Sequence, residues 1–137
     1  MARAARAFAV IGGVPMSAHE IARTKTAVHL TQAAAVAPIV RDGLLPTVGL
    51  YKNATSWCRD AVYMFARPPS ALQVAMNLAG AKPSTLEMIE VDLTKLDPDR
   101  LYRRVIDGAL LYVSSDPIPP TALRHLGSLS ARTTGGS

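Results

Sequence analysis

Two six-residue segments, Leu101–Ile106 and Ala109–Ser114, stand on either side of Asp107-Gly108. A two-residue turn between strands needs positive φ at its central positions, and Gly, Asn and Asp tolerate that at least cost. The pattern therefore reads as a hairpin. A hairpin commits this part of the chain to antiparallel pairing, which argues against a doubly wound parallel sheet and for an α+β fold.

The rest of the chain agrees with that class. Ser17-Ala18-His19-Glu20 fits a capping box that opens a short helix, 18–23. Thr26–Thr31 alternates around Ala27, Val28 and Leu30 and reads as a strand. A helix is expected over 33–42, settling near Pro38 and stopped by Gly43, a natural residue just past a helix end. Residues 44–57 read as an irregular loop and 61–66 as a strand. Pro68-Pro69-Ser70 opens a helix to about Ala79, and Gly80 ends it. Leu86–Leu93 alternates apolar residues with Glu87, Glu90 and Asp92, as a strand with one polar face does. Asp97-Pro98-Asp99 is a turn, and Pro119-Pro120 opens a last helix, 121–126. The expected organisation is an N-terminal arm, 1–16, one domain, 17–127, and a disordered small-residue tail, 128–137. The arm is basic and then apolar, faintly like a secretory signal, but Gly12, Gly13 and Pro15 interrupt it.

Composition narrows the function classes. The 137 residues are 49% hydrophobic but only 5% aromatic, so the core rests on aliphatic side chains. A net charge of +5 and a pI near 9.8 suit an acidic partner such as nucleic acid or a dinucleotide phosphate, or simply a solvated basic surface. Cys58 stands alone, which excludes an internal disulfide framework and a multi-cysteine metal site, and a reducing cytoplasm is the expected setting. No apolar run has the roughly 20 residues that a membrane-spanning helix needs. The chain lacks the Gly-x-Gly-x-x-Gly fingerprint, a P-loop and a nucleophile elbow. His19, His29 and His125 have no ligand spacing with acidic residues, so no metal is expected. Arg100, Arg103 and Arg104 form a basic cluster that reads as an exposed face.

One chemical hypothesis stands out. His29-Leu30-Thr31 puts an imidazole and a hydroxyl on one side of a short apolar strand, and Val36–Leu45 carries Pro38 and then Arg41-Asp42-Gly43-Leu44. Val62-Tyr63-Met64-Phe65 follows, then an alanine-rich segment, the strand 87–92, and Leu110–Val113 with Asp116, Ile118, Pro119 and Leu123. Over residues 26–126 this order resembles the ADP-ribosyltransferase-like superfamily, in particular the DNA-targeting toxins of toxin–antitoxin systems and the RNA 2′-phosphotransferases. The resemblance implies a mixed, split β-sheet core with short flanking helices. It also implies NAD as cofactor and a protein or nucleic-acid acceptor, with a protein partner or antitoxin as a further possibility.

By the same resemblance, His29 holds the cofactor ribose, Thr31 supports it, and Tyr63 stacks on the nicotinamide ring. His29 and Tyr63 are then the catalytic candidates. Leu30, Gly43 and Leu110 line the cofactor site with them. The family's glutamate is missing: the start of the late strand reads Ala109, Leu110, Leu111, while Asp107 falls in the turn and Asp116 beyond the strand. Three readings follow: an enzyme with a His-Tyr-hydrophobic triad, a phosphotransferase-like protein that uses Arg41, Arg59 or Arg67, or a degenerate binding or inhibitor protein of the same fold, toxin-associated or phage-derived. Each residue also has a purely structural reading. His29 can be a hydrogen-bonded core histidine, Tyr63 strand packing, Thr31 a helix cap and Gly43 a helix stop.

Overall fold

A computed structural model describes residues 13–46, 61–70, 73–74, 82–106 and 108–130. Among the described residues, seven strands and two short helices occur in this order: β1 (Val14–Pro15), α1 (Ala18–Thr24), β2 (Thr26–Gln32), α2 (Val36–Asp42), β3 (Val62–Phe65), β4 (Leu86–Asp92), β5 (Leu101–Ile106), β6 (Ala109–Ser114) and β7 (Leu123–Ser128). The class is α+β. The strands form one sheet in the order β1-β5-β6-β3-β2-β4-β7. Where a mixed, split sheet was expected, every strand pairing in the described residues is antiparallel and all seven strands are joined.

Local signals explain much of this. The Ser17 hydroxyl accepts from the Glu20 amide at 3.0 Å, satisfying one of the donors that a helix start leaves open. Strands β5 and β6 pair from Leu101↔Ser114 to Ile106↔Ala109, with Gly108 at φ 83° in the turn. Pro38 lies in the first turn of α2, where its missing N–H costs nothing, after a single 3₁₀ turn over Ala33–Ala35. The Asp97 carboxylate accepts from the Asp99 amide and caps a second short 3₁₀ turn, Pro98–Arg100.

Three expectations fail, each for a non-local reason. Residues 121–126 are not a helix: after a 3₁₀ turn over Pro120–Ala122, the chain becomes β7 and pairs with the outer edge of β4. That edge supplies the backbone partners, Arg124 reaches Glu90 at 3.2 Å, and Gly127 at φ 109° is unsuited to a helix. The ordered chain also continues past 127, with Ser128 in β7 and Leu129 fully buried in the core. At the other end, Val14 and Pro15 pair with β5 and Met16 is buried, so part of the expected arm belongs to the fold. Most of the loop 44–57 and of the helix expected after Ser70 lies outside the described residues. Within the latter, the Ser70 carbonyl accepts from the Val74 amide, as in a first helical turn.

Both faces of the sheet are covered. On one, Val28, Leu30, Tyr63, Phe65, Met88 and Leu111 pack with Val74 and Leu129. On the other, Ala27, Val62, Met64, Val91 and Tyr112 pack with Met16, Ile21, Leu44 and Ile118. Burying each large aliphatic side chain contributes about 1.5–3 kcal/mol, so the two layers account for most of the drive to fold.

Candidate functional site

Strand β2 has two unlike edges. Toward β4 it pairs along its whole length, from Thr26↔Asp92 to Gln32↔Leu86. Toward β3 it has a single registered pair, Val28↔Phe65. The His29 imidazole lies across that loose seam, its Nδ1 2.9 Å from the Tyr63 carbonyl oxygen. A carbonyl only accepts, so Nδ1 carries the proton in this bond. In the neutral ring Nε2 is then an acceptor. Burial lowers the His29 pKa from its ordinary 6.5 because enclosure penalises the cation, and the Tyr63 hydrogen bond, which favours the cation, opposes this only in part. The residue keeps some exposure. It is a neutral, oriented imidazole that offers one lone pair.

Alternation along the strands fixes what shares a face with it. Ala27, His29 and Thr31 point one way; Val28 and Leu30 point the other, into the core. Directly paired residues share a face, so Ile89 and Glu87 lie beside His29 and Thr31. Across β4, Ile89 pairs with His125 of β7. A register shift between Met88 and Ile89 leaves Leu126 as the extra residue of β7, and Leu126 packs on the Leu30 side. The His125 Nε2 lies 2.8 Å from Glu87 Oε1. This face therefore changes from an apolar end (Ala27, Val91 and Leu93) to a polar end that carries His29, Thr31, Glu87 and His125. Sequence reasoning missed Glu87 and His125 as members of the site. Strand alternation hinted at Glu87, but His125 had been placed in a helix. Among the described residues, no group of three or more His, Cys, Asp or Glu side chains is arranged to hold a metal.

The residues singled out from sequence divide between the two faces. Thr31 shares the His29 face and is buried; it does not cap the next turn, whose cap position is Gln32 with no side-chain bond. Leu110 alternates with Leu111, the partner of Phe65, so it too lies on the His29 face, two strands away and 39% exposed. Tyr63 does not join them. It lies two residues from Phe65, which pairs with Val28, so its ring packs on the Leu30 face and only its carbonyl meets His29. Register places the aromatic ring on the wrong side for stacking on a ligand held by His29. Leu30 is likewise a core residue.

Gly43 has a structural task. At φ 93° it ends α2, and a Cβ there would collide with the Ile118 carbonyl oxygen. That close approach lets Leu44 and Ile118 exchange both backbone hydrogen bonds, at 2.9 and 2.8 Å. Among the basic candidates, Arg41 is held by the neighbouring Asp42 at 2.8 Å, whose carboxyl is lowered in pKa by that hydrogen bond. Arg67 lines an open groove of about 410 Å³ with Phe65, Ala66, Pro68, Pro69, Ser70, Gln73, Ala109 and Leu110. Arg59 and Cys58 lie outside the described residues. Asp116 sits past β6, 3.4 Å from Arg100, so it supplies no carboxylate at the start of that strand.

No family model matches the chain, and no curated protein matches its sequence.

Proposed function

We propose that the polar end of the His29 face binds a ribose-bearing dinucleotide, NAD, and that the protein is ADP-ribosyltransferase-like, acting on a protein or nucleic-acid acceptor. The observation that carries this reading is His29 itself: a neutral imidazole, anchored through Nδ1–H to the Tyr63 carbonyl, with Nε2 left to accept from a hydroxyl. At this seam β2 and β3 share one registered pair, and the His29 side chain adds a second link between the two strands. Further support comes from strand order. The strands that carry the His, Tyr and late-strand positions, β2, β3 and β6, are consecutive neighbours.

The residues fit the binding half of the activity better than the transfer half. Bound NAD would supply a nicotinamide–ribose link activated by its pyridinium charge, whose cleavage releases nicotinamide. His29 Nε2 would accept from a ribose hydroxyl, and Thr31 lies on the same face. Tyr63 fixes the histidine through its backbone rather than by ring stacking. The resemblance puts the family's carboxylate at the start of the late strand, where this chain has Ala109, Leu110 and Leu111, and this favours a second reading, a binding protein of the same type that holds the dinucleotide without turning it over. The phosphotransferase reading is weaker, since Arg41 is already engaged by Asp42.

Calorimetric titration with NAD, followed by incubation with labelled NAD and candidate acceptors, tests the proposal. Wild type binds, and His29→Ala, checked for folding by thermal unfolding, loses at least about tenfold in affinity, or 1.4 kcal/mol. Label transfer or release of nicotinamide favours the enzyme; binding without either favours the second reading. A wild type with no affinity for NAD overturns both.

A further inference from the structure

We infer that Glu87, oriented by His125, is the second acceptor of this site and that it works with His29 to select a ribose by its two adjacent hydroxyls. The inference rests on the NAD-binding reading and adds a partner for His29 from the opposite side of β2 to the late strand. Register supplies the geometry. Thr31 and Glu87 are directly paired, and Glu87 is the diagonal neighbour of His29 on the same face. Direct neighbours on one face have Cβ atoms about 4.5–5.5 Å apart, and diagonal ones stand about 7–8 Å apart, within reach of long side chains. Both acceptors stand on one face, one on either side of Thr31, and a furanose offers two adjacent hydroxyls that both donate.

The chemistry of the pair supports the role. A carboxylate has two oxygens and accepts several hydrogen bonds. The His125 Nε2–H takes Oε1 at 2.8 Å, which leaves Oε2 for a ligand hydroxyl. The Glu87 side chain is 20% exposed, so it is reachable yet confined. The bulge that admits Leu126 keeps His125 opposite Ile89 on this face, so the interruption in β7 serves the site as well as the core. An acceptor pair of this kind recognises a ribonucleoside through its diol; a deoxyribose satisfies only one member and leaves the other facing the ligand unpaired, which is costly.

The test measures affinity for NAD and for an NAD analogue lacking one hydroxyl of the nicotinamide ribose, in wild type, Glu87→Gln, His125→Ala and His125→Gln. Wild type prefers NAD by about tenfold or more. Glu87→Gln keeps the fold and loses most of that preference, because its one amide oxygen is taken by the His125 Nε2–H and its NH2 faces the ligand instead. His125→Ala weakens the preference, and His125→Gln, which keeps an N–H donor, restores most of it. If Glu87→Gln keeps the full preference while His29→Ala still abolishes binding, the inference fails and the NAD reading stands. If wild type binds neither compound, the NAD reading has failed.

Discussion

The two edges of β2 show how a sheet both stores stability and opens a site. Toward β4, seven residues are paired in unbroken register, and apolar side chains from both strands enter the two core layers. Toward β3, the strands share one registered pair, and an imidazole bonds a strand carbonyl beside it. A complete ladder satisfies its own polar groups and has nothing to offer a ligand. Where a side chain links the strands instead, that bond holds it in one tautomer and orientation. His29 gains at the seam what it would lack in mid-ladder: a fixed Nδ1–H and an available Nε2.

This contrast makes graded predictions. The largest effect belongs to the closed edge. Met88, which pairs with Leu30 and is 2% exposed, leaves a cavity as Met88→Ala and costs about 2–5 kcal/mol in urea unfolding. A cost below 1 kcal/mol would mean that the β2–β4 layer is not the packed half. Gly43→Ala comes next. Positive φ and the clash with Ile118 together cost about 1–3 kcal/mol and disrupt the Leu44–Ile118 bridge; wild-type stability in this variant would show that the close approach is dispensable.

His29→Ala comes third, at about 1–3 kcal/mol, because it removes the part-buried hydrogen bond to the Tyr63 carbonyl. The same residue gives a pH test. Its pKa is lowered in the fold, so between its folded value and the ordinary 6.5 the unfolded chain binds the proton more readily. The His29 contribution is therefore neutral above about pH 6.5 and becomes destabilising as the pH falls below it. Unfolding curves of wild type and His29→Gln diverge below pH 6.5 and run parallel above it; parallel curves throughout would sink the assignment. The smallest effect is at β7. The His125–Glu87 pair is 38% and 20% exposed, so His125→Ala changes stability by no more than about 1 kcal/mol while altering ligand selectivity.

What the sequence made legible was local. Leu101–Ile106 and Ala109–Ser114 form strands with the expected ends because the Asp-Gly pair in the sequence marks a short connection between them. The Ser17 cap and the Gly43 stop were readable for the same reason. Non-local pairing decided the rest. Residues 123–128 have no strong strand pattern of their own, and the open edge of β4 makes them a strand. The face that Tyr63 occupies depends on the single pair Val28↔Phe65, and a shift of one residue would have reversed it. Glu87 and His125 became visible as one group only once β4 and β7 were adjacent.

If His29 serves NAD binding as proposed, its two ring nitrogens are unlike: Nδ1 is protonated and Nε2 is a bare acceptor for a ribose hydroxyl. Long-range proton–nitrogen NMR of the His29 ring at neutral pH, with and without NAD, reads this directly. The expected result is a protonated Nδ1 and a bare Nε2 in the free protein, with Nε2 shifting on addition of NAD while Nδ1 holds its bond to Tyr63. A protonated Nε2, or a ring unaffected by saturating NAD, would contradict it.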